Sequence, residues 1–332
     1  MKNGMRFSIM ILVGVILAVP LFARGAAETD TFSIQMATPS MPEDSNVKAF
    51  FVFKEIVERE SDGRIQVEVM HSGQLGGQRD YIEGLQLGSI QMAEVNTAVL
   101  SAVEEKFMVF DMPYISRSVE HLIEVIDGGV GDTLSQALEA KTGIKIIGWM
   151  VRTPRSVYSS RGAIQTADDF RGLKIRVMES PVMIKTMELL GAIPVPIAAT
   201  ERYMALQTRV VDAAENSPPL IITEKEYEVT SHVSLTEHFI TPNVIAIDGR
   251  FFNRLPADLQ QIVVDAGREA AQFAVAEDMR QLNAAIGELE SRGMSVNVIQ
   301  DKSTFIQRVQ PIYAEYEGRI GRDLIDAFLA TN

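Results

Sequence analysis

The 332-residue chain has no cysteine. That excludes a disulfide framework, a thiolate metal site and a lipid-modified N-terminal Cys. Catalytic signatures are missing too: there is no G-x-S-x-G elbow, P-loop, G-x-G-x-x-G after a strand, or H-E-x-x-H. Histidine is scarce, at four residues. His232 and His238 are six apart and could share one side of a strand, but two imidazoles without further ligands make no metal site. No metal or cofactor is expected. No internal repeat or low-complexity tether interrupts the chain.

Positive charge is also in deficit, with a net charge of −13. The first 27 residues read as a cleaved secretory signal peptide. Lys2 and Arg6 precede the apolar run FSIMILVGVILAVPLF, which Pro20 interrupts, and small residues (Ala23, Gly25, Ala26, Ala27) lead to Glu28. The run is short for a membrane span. Export to the periplasm is therefore expected. Losing the leader removes Lys2, Arg6 and Arg24 and no acid, which takes the charge to −16. So acidic a surface argues against nucleic acid or anionic membranes as partners. A mature chain of this length can bury two domain cores without disulfides.

What is present is an alternation of strand and helix patterns. FSIQMATP, RIQVEVMHS and IQMAEVN read as strands, separated by helical SNVKAFFVFKEIVERE and GGQRDYIEGLQLGS. A helical stretch from Ser118 to Gly143 breaks at Gly128 and Gly129, and IKIIGWMV follows as an apolar strand. From Arg155 the pattern repeats: the strands RSVYSS, LKIRV, AIPVPI and VVDAAEN alternate with the helices SPVMIKTMELLG and ERYMALQ. HVSLTEHFITPNVIAIDGRFFN reads as a pair of strands, and Pro256 opens a long amphipathic helical run. The pattern predicts α/β domains with largely parallel sheets. The alternating Glu224, Glu226 and Glu228 are most simply a solvated face.

Two arginines stand out. Arg155 precedes SVYSS, and Arg176 lies inside LKIRV, where a strand would ordinarily bury Val or Ile. A buried guanidinium requires an anion, and its planar fork holds a carboxylate through two parallel hydrogen bonds. Either the protein or a ligand supplies that anion. Asn216 ends an apolar strand in the same unit, where ligands of open α/β sheets bind.

These segments, together with GQLGGQRDYIEGLQLGSIQMAEV and FDMPYI, resemble the extracytoplasmic solute-binding subunit of TRAP (tripartite ATP-independent periplasmic) transporters along nearly the whole mature chain. The resemblance implies a two-domain periplasmic binding-protein fold with mostly parallel sheets, a strand hinge and a long helix spanning both domains. It places domain I at residues 28–152 and 242–281, and domain II at 153–241 and 282–332. It also implies capture of an organic acid, with Arg176 as the main carboxylate contact and Arg155 and Asn216 beside it, and delivery to TRAP membrane permease subunits. A monomer without enzymatic activity is expected. The sequence departs from the family pattern at Ala199, where an aromatic that covers the ligand is usual. It departs again at Asp212-Ala213-Ala214-Glu215-Asn216, where D-G-x-E-N is common. The run from Glu215 through ENSPP to SLTEH is similar to sugar-acid binders, so a sugar acid such as a hexuronate is the expected ligand and a dicarboxylate or keto acid the alternative. Asn96, Thr97, Asp44 and Ser45 fall in first-domain loops that could reach sugar hydroxyls. The rival reading is an exported enzyme acting on acidic sugars, with Glu215 or Glu237 as acid or base.

Overall fold

The computed structural model describes residues 31–331. Among them the strands are β1 (Phe32–Ala37), β2 (Ile65–Met70), β3 (Met92–Asn96), β4 (Ile144–Met150), β5 (Arg155–Ser159), β6 (Lys174–Val177), β7 (Ile193–Pro196), β8 (Ala213–Asn216), β9 (His232–Phe239), β10 (Asn243–Asp248) and β11 (Ser295–Val298). They form two sheets, ordered β2-β1-β3-β10-β4 and β11-β9-β5-β8-β6-β7. Each sheet centres a lobe. No helix among the described residues is long and apolar enough to cross a membrane.

The sheets are mixed. β1 is parallel to β2 and β3, and β6 is parallel to β7 and β8. β10 is antiparallel to β3 and β4, and β5 is antiparallel to β8 and β9. The reversed strands are those beside the crossings between lobes. β4 leads through Val151–Pro154 into β5, and β9 leads through Ile240–Pro242 into β10. β9 and β10 were read as paired strands that return the chain to the first domain. They lie in different sheets, because the short connection through Pro242 carries the chain across to the first sheet instead of turning it back. β11, four residues on a sheet edge, has too little periodicity to be read from sequence.

The third crossing is the helix Ala257–Ser291, about 52 Å long at 1.5 Å per residue. Its first half buries Leu259, Val263, Ala266, Ala270 and Ala274 against β4 and the helix Ser45–Glu60. Close seating requires two glycines. A Cβ on Gly148 would sit 2.7 Å from the Gly267 carbonyl oxygen, and one on Gly267 2.9 Å from the Ile147 oxygen. At the far end Leu289 packs with Tyr158 and Val233 of the second sheet, so one rigid element is anchored in both cores. The last helices, Pro311–Ile320 and Arg322–Ala330, also touch both sides. Tyr313 donates to the Pro113 carbonyl, Tyr316 donates to that of Pro181, and Phe328 meets Phe110 edge-on at 5.7 Å.

A buried bond also joins the lobes: the Ser180 hydroxyl donates to Asp111 Oδ2 at 2.6 Å, while Asp111 Oδ1 has no partner. Burial pushes the Asp111 carboxyl up to about 7, only partly offset by Ser180 and Arg155. An acid with a raised folded pKa keeps the protein stable below its unfolded pKa of about 3.9 and costs stability as pH rises towards the folded value. Asp111→Asn retains an acceptor for Ser180 without the charge. It is expected to match the wild type in urea unfolding at pH 4 and to exceed it at pH 8, by roughly 1–3 kcal/mol. An equal difference at both pH values would mean that the carboxyl ionises freely.

Candidate functional site

Between the sheets lies a cavity of about 340 Å³. Its first-lobe wall carries Glu94 and Asn96 from β3, Asn243 from β10, and Arg152; its second-lobe wall carries Arg155 from β5, Asn216 from β8, and Arg202. Arg176 lines an adjoining hollow of about 20 Å³ that shares Pro39, Gln78, Met178, Ala199 and Thr200 with the cavity. The lobes meet around it. Arg79 pairs with Glu179 at 3.0 Å, and a Cβ on Gly73, at φ +70, would lie 2.8 Å from the Thr200 methyl.

Arg176 is 1 % exposed, and no carboxylate of the described residues lies within ion-pair distance. Its Nε donates to the Ile197 carbonyl at 2.8 Å, and Nη1 is buried without a partner. The guanidinium pKa is pushed down to about 10, by burial first and then by Arg202, with Glu215 and Tyr158 opposing. It is still protonated at neutral pH, so a buried cation lacks a counterion.

The other two cations of this wall are neutralised. Arg155 holds Glu215 through Nε (2.5 Å to Oε2) and Nη2 (2.9 Å to Oε1), and Nη2 also donates to the Glu215 carbonyl. Burial would raise Glu215, but the Arg155 charge and hydrogen bonds outweigh it and hold the carboxyl below its usual range. Arg202 donates to Glu226 at 2.5 Å, and the Tyr158 hydroxyl donates to the same carboxylate. Glu226 is therefore buried, which corrects the reading of the 224–228 acids as a solvated face. Glu224 lines the cavity, and burial lifts its carboxyl to about 7.

Asn216 accepts from Ser217 N through Oδ1, and its Nδ2 makes no hydrogen bond among the described residues. Asn96 lines the opposite wall, its Nδ2 donating to Asn243 Oδ1 at 2.5 Å and its Oδ1 accepting from Ala98 N. Arg155, Asn216 and Asn96 thus share one cavity, with Arg176 in the hollow beside it. Thr97, Asp44 and Ser45 are not among the lining residues. Thr97 donates to the Pro242 carbonyl. Asp44 caps the helix Ser45–Glu60 by accepting from Asn46 N, and both its oxygens take Arg152 Nη2. Ser45 donates to Asp278. These first-domain positions were expected in loops that could reach sugar hydroxyls. All three are buried: Arg152 draws Asp44 and Ser45 under the wall, and the Pro242 carbonyl holds Thr97.

Sequence reading missed Arg152, Arg202, Glu94 and Asn243. Glu94 carried the signal that singled out Arg176, a charge within an apolar strand. It accepts from Thr38 (2.5 Å), Asn46 (2.7 Å) and Asn243 (2.5 Å). Burial raises its carboxyl and Asp44 adds to the rise, with Arg152 and the bonds from Thr38 and Asn46 pulling it back. Where Ala199 leaves out the covering aromatic, Tyr203, one turn on, lines the cavity and donates to Glu228.

A pocket between two α/β lobes, with a buried cation that no carboxylate of the described residues compensates, has the shape and charge to take a small anion. The chain matches the model of bacterial extracellular solute-binding proteins, family 7, over residues 36–319, and it belongs to that family, the TRAP solute-binding proteins. A solute-binding protein of Sulfitobacter sp. (strain NAS-14.1) is 31% identical over 320 residues, covering 96% of each chain. The crystal structure of a TRAP periplasmic solute-binding protein from Roseobacter denitrificans with bound β-D-glucuronate aligns with a TM-score of 0.87 at 29% identity, covering 90% of this chain and 100% of that one. That of the sugar acid binding protein DctPAm from Advenella mimigardefordensis with galactonate gives 0.88 at 28%, covering 91% and 99%.

Proposed function

We propose that this protein captures a sugar acid, such as a hexuronate, in the cavity between its lobes and delivers it to TRAP membrane permease subunits from the periplasm. The observation that carries the reading is Arg176: buried, protonated, and without an anion among the described residues. The ligand carboxylate takes the free face of that guanidinium, with Asn216 Nδ2 as a second donor. Arg155 lines the cavity beside them, its fork fixed by Glu215. The ligand hydroxyls meet the opposite wall at Asn96 and Asn243. Closure about the strands that cross between lobes, residues 28–152 with 242–281 moving against 153–241 with 282–332, excludes water and strengthens each contact.

Capture without turnover fits the site. Glu215 is occupied by Arg155, and Glu237 pairs with Lys302 on the surface, so neither is placed as an acid or base over the cavity. Calorimetry with D-glucuronate, D-galacturonate, D-galactonate and succinate tests the reading. At least one sugar acid should bind at micromolar level, about −8 kcal/mol, and be recovered unchanged. No heat with any of them at millimolar concentration would overturn it.

A further inference from the structure

The two walls of the cavity differ in how their buried charges are paired. On the second-lobe wall Arg155 and Arg202 are paired with Glu215 and Glu226, Arg176 meets no carboxylate of the described residues, and burial holds the further lining acid Glu224 up at about 7. On the first-lobe wall the buried carboxylates are in excess. Arg152 is the one cation of a buried cluster with Asp44 at 2.8 Å, Asp278 at 3.0 Å and Glu94 at 3.9 Å. Even with Glu94 protonated, two carboxylates face one guanidinium. Glu224, on the far wall, is raised by burial first; Asp44 adds to the rise and Arg152 of the same cluster opposes it. What the first-lobe wall presents to the cavity itself is Glu94, the amides of Asn96 and Asn243, and an Arg152 already committed to Asp44 and Asp278; the carboxylate and the amides are suited to hydroxyls.

Resting on the function proposed above, we infer that Glu94, backed by the Asp44–Arg152–Asp278 cluster, is the specificity filter of the cleft, admitting hydroxylated monocarboxylates and rejecting dicarboxylates. A ligand with one carboxylate orients itself: its anion goes to Arg176 and its hydroxyls to Glu94. A second carboxylate on a ligand of the same length is driven against a wall already overloaded with negative charge, in a medium where Coulomb repulsion is weakly screened. Selectivity arises from repulsion as well as attraction.

Galactonate and galactarate separate these terms, because they share a six-carbon polyol chain and differ only in whether the far end is CH₂OH or carboxylate. In calorimetric titrations the wild type should favour galactonate by at least about thirtyfold. Glu94→Gln should narrow that preference by about tenfold, through tighter galactarate binding. Asp44→Asn keeps the helix cap and an acceptor for Arg152, touches no cavity surface, and should narrow it by about threefold. The filter is overturned if the wild type binds both acids alike, or if Glu94→Gln weakens both by one common factor, as a merely structural role requires. A wild type that prefers galactarate refutes the filter but leaves capture standing. A wild type that binds no organic acid refutes both.

Discussion

Arg176→Met is expected to weaken ligand capture by at least about thirtyfold and, at the same time, to raise the melting temperature of the ligand-free protein. The two effects have one cause. In the empty protein the guanidinium is desolvated, lies near Arg202, and meets no carboxylate. Replacing such a charge with an apolar side chain of similar length removes an unfavourable burial. The lost Nε bond to Ile197 costs about 1 kcal/mol, less than the several kcal/mol of an uncompensated buried ion. A rise of a few degrees should follow. Binding moves the other way. Truncating one partner of a buried, hydrogen-bonded ion pair costs about 2–5 kcal/mol, which is roughly 30- to 5,000-fold in affinity. Arg176→Lys should bind poorly without gaining stability, because an ammonium keeps the charge but not the fork. Calorimetry and thermal unfolding on the same preparations test this. Affinity near the wild type would remove Arg176 from the site, and a lower melting temperature for Arg176→Met would make the arginine a structural member.

Most of the scaffold was legible because its signals are local. The periodicities of β1, the helix Ser45–Glu60, β6 and the long helix lie within single stretches, and the break at Gly128–Gly129 is where Gly129 takes φ +109. The site was only half legible, because ion pairing is long-range. Arg155 and Arg176 carry the same local signature, an arginine in a buried strand. Sheet order decides between them: β5 and β8 are neighbours, and Arg155 finds Glu215 sixty residues away. β6, on the far side of β8, leaves Arg176 without an acid. The same blindness hid Arg152, whose partners lie 108 and 126 residues away, and made Glu226 look solvated when Arg202 and Tyr158 bury it. Sequence shows that a buried charge needs a partner; only the fold chooses which.

The arginine whose loss should cost most stability is therefore not the one proposed to hold the ligand. Arg152 sits where the chain leaves the first sheet, and its two terminal nitrogens divide between elements: Nη1 donates to Ser45 and Asp278, Nη2 to both oxygens of Asp44. Asp278 belongs to the long helix and also accepts from Thr153 N at 2.8 Å. The cation thereby ties the start of the Ser45–Glu60 helix, the first crossing and the domain-spanning helix at one point. Arg152→Ala leaves Asp44, Asp278 and Glu94 buried around an empty space with no positive charge among them. Breaking a buried pair from one side costs about 3–5 kcal/mol, and at roughly 2–4 °C per kcal/mol the melting temperature should fall by roughly 6–20 °C. Arg152→Lys should recover part of this, since one ammonium reaches one carboxylate but cannot serve both in the planar geometry. The pH dependence identifies the cause. Carboxylates deprived of their counterion have raised folded pKa values, so the penalty should shrink as the solution is acidified towards their unfolded values near 4 and grow again above neutrality. Adding Asp44→Asn and Asp278→Asn to Arg152→Met should restore stability at pH 8, whereas lost packing alone would leave the triple variant as unstable as the single one. A melting temperature for Arg152→Ala within 2 °C of wild type, at about neutral pH, would mean that water, not the guanidinium, carries these charges.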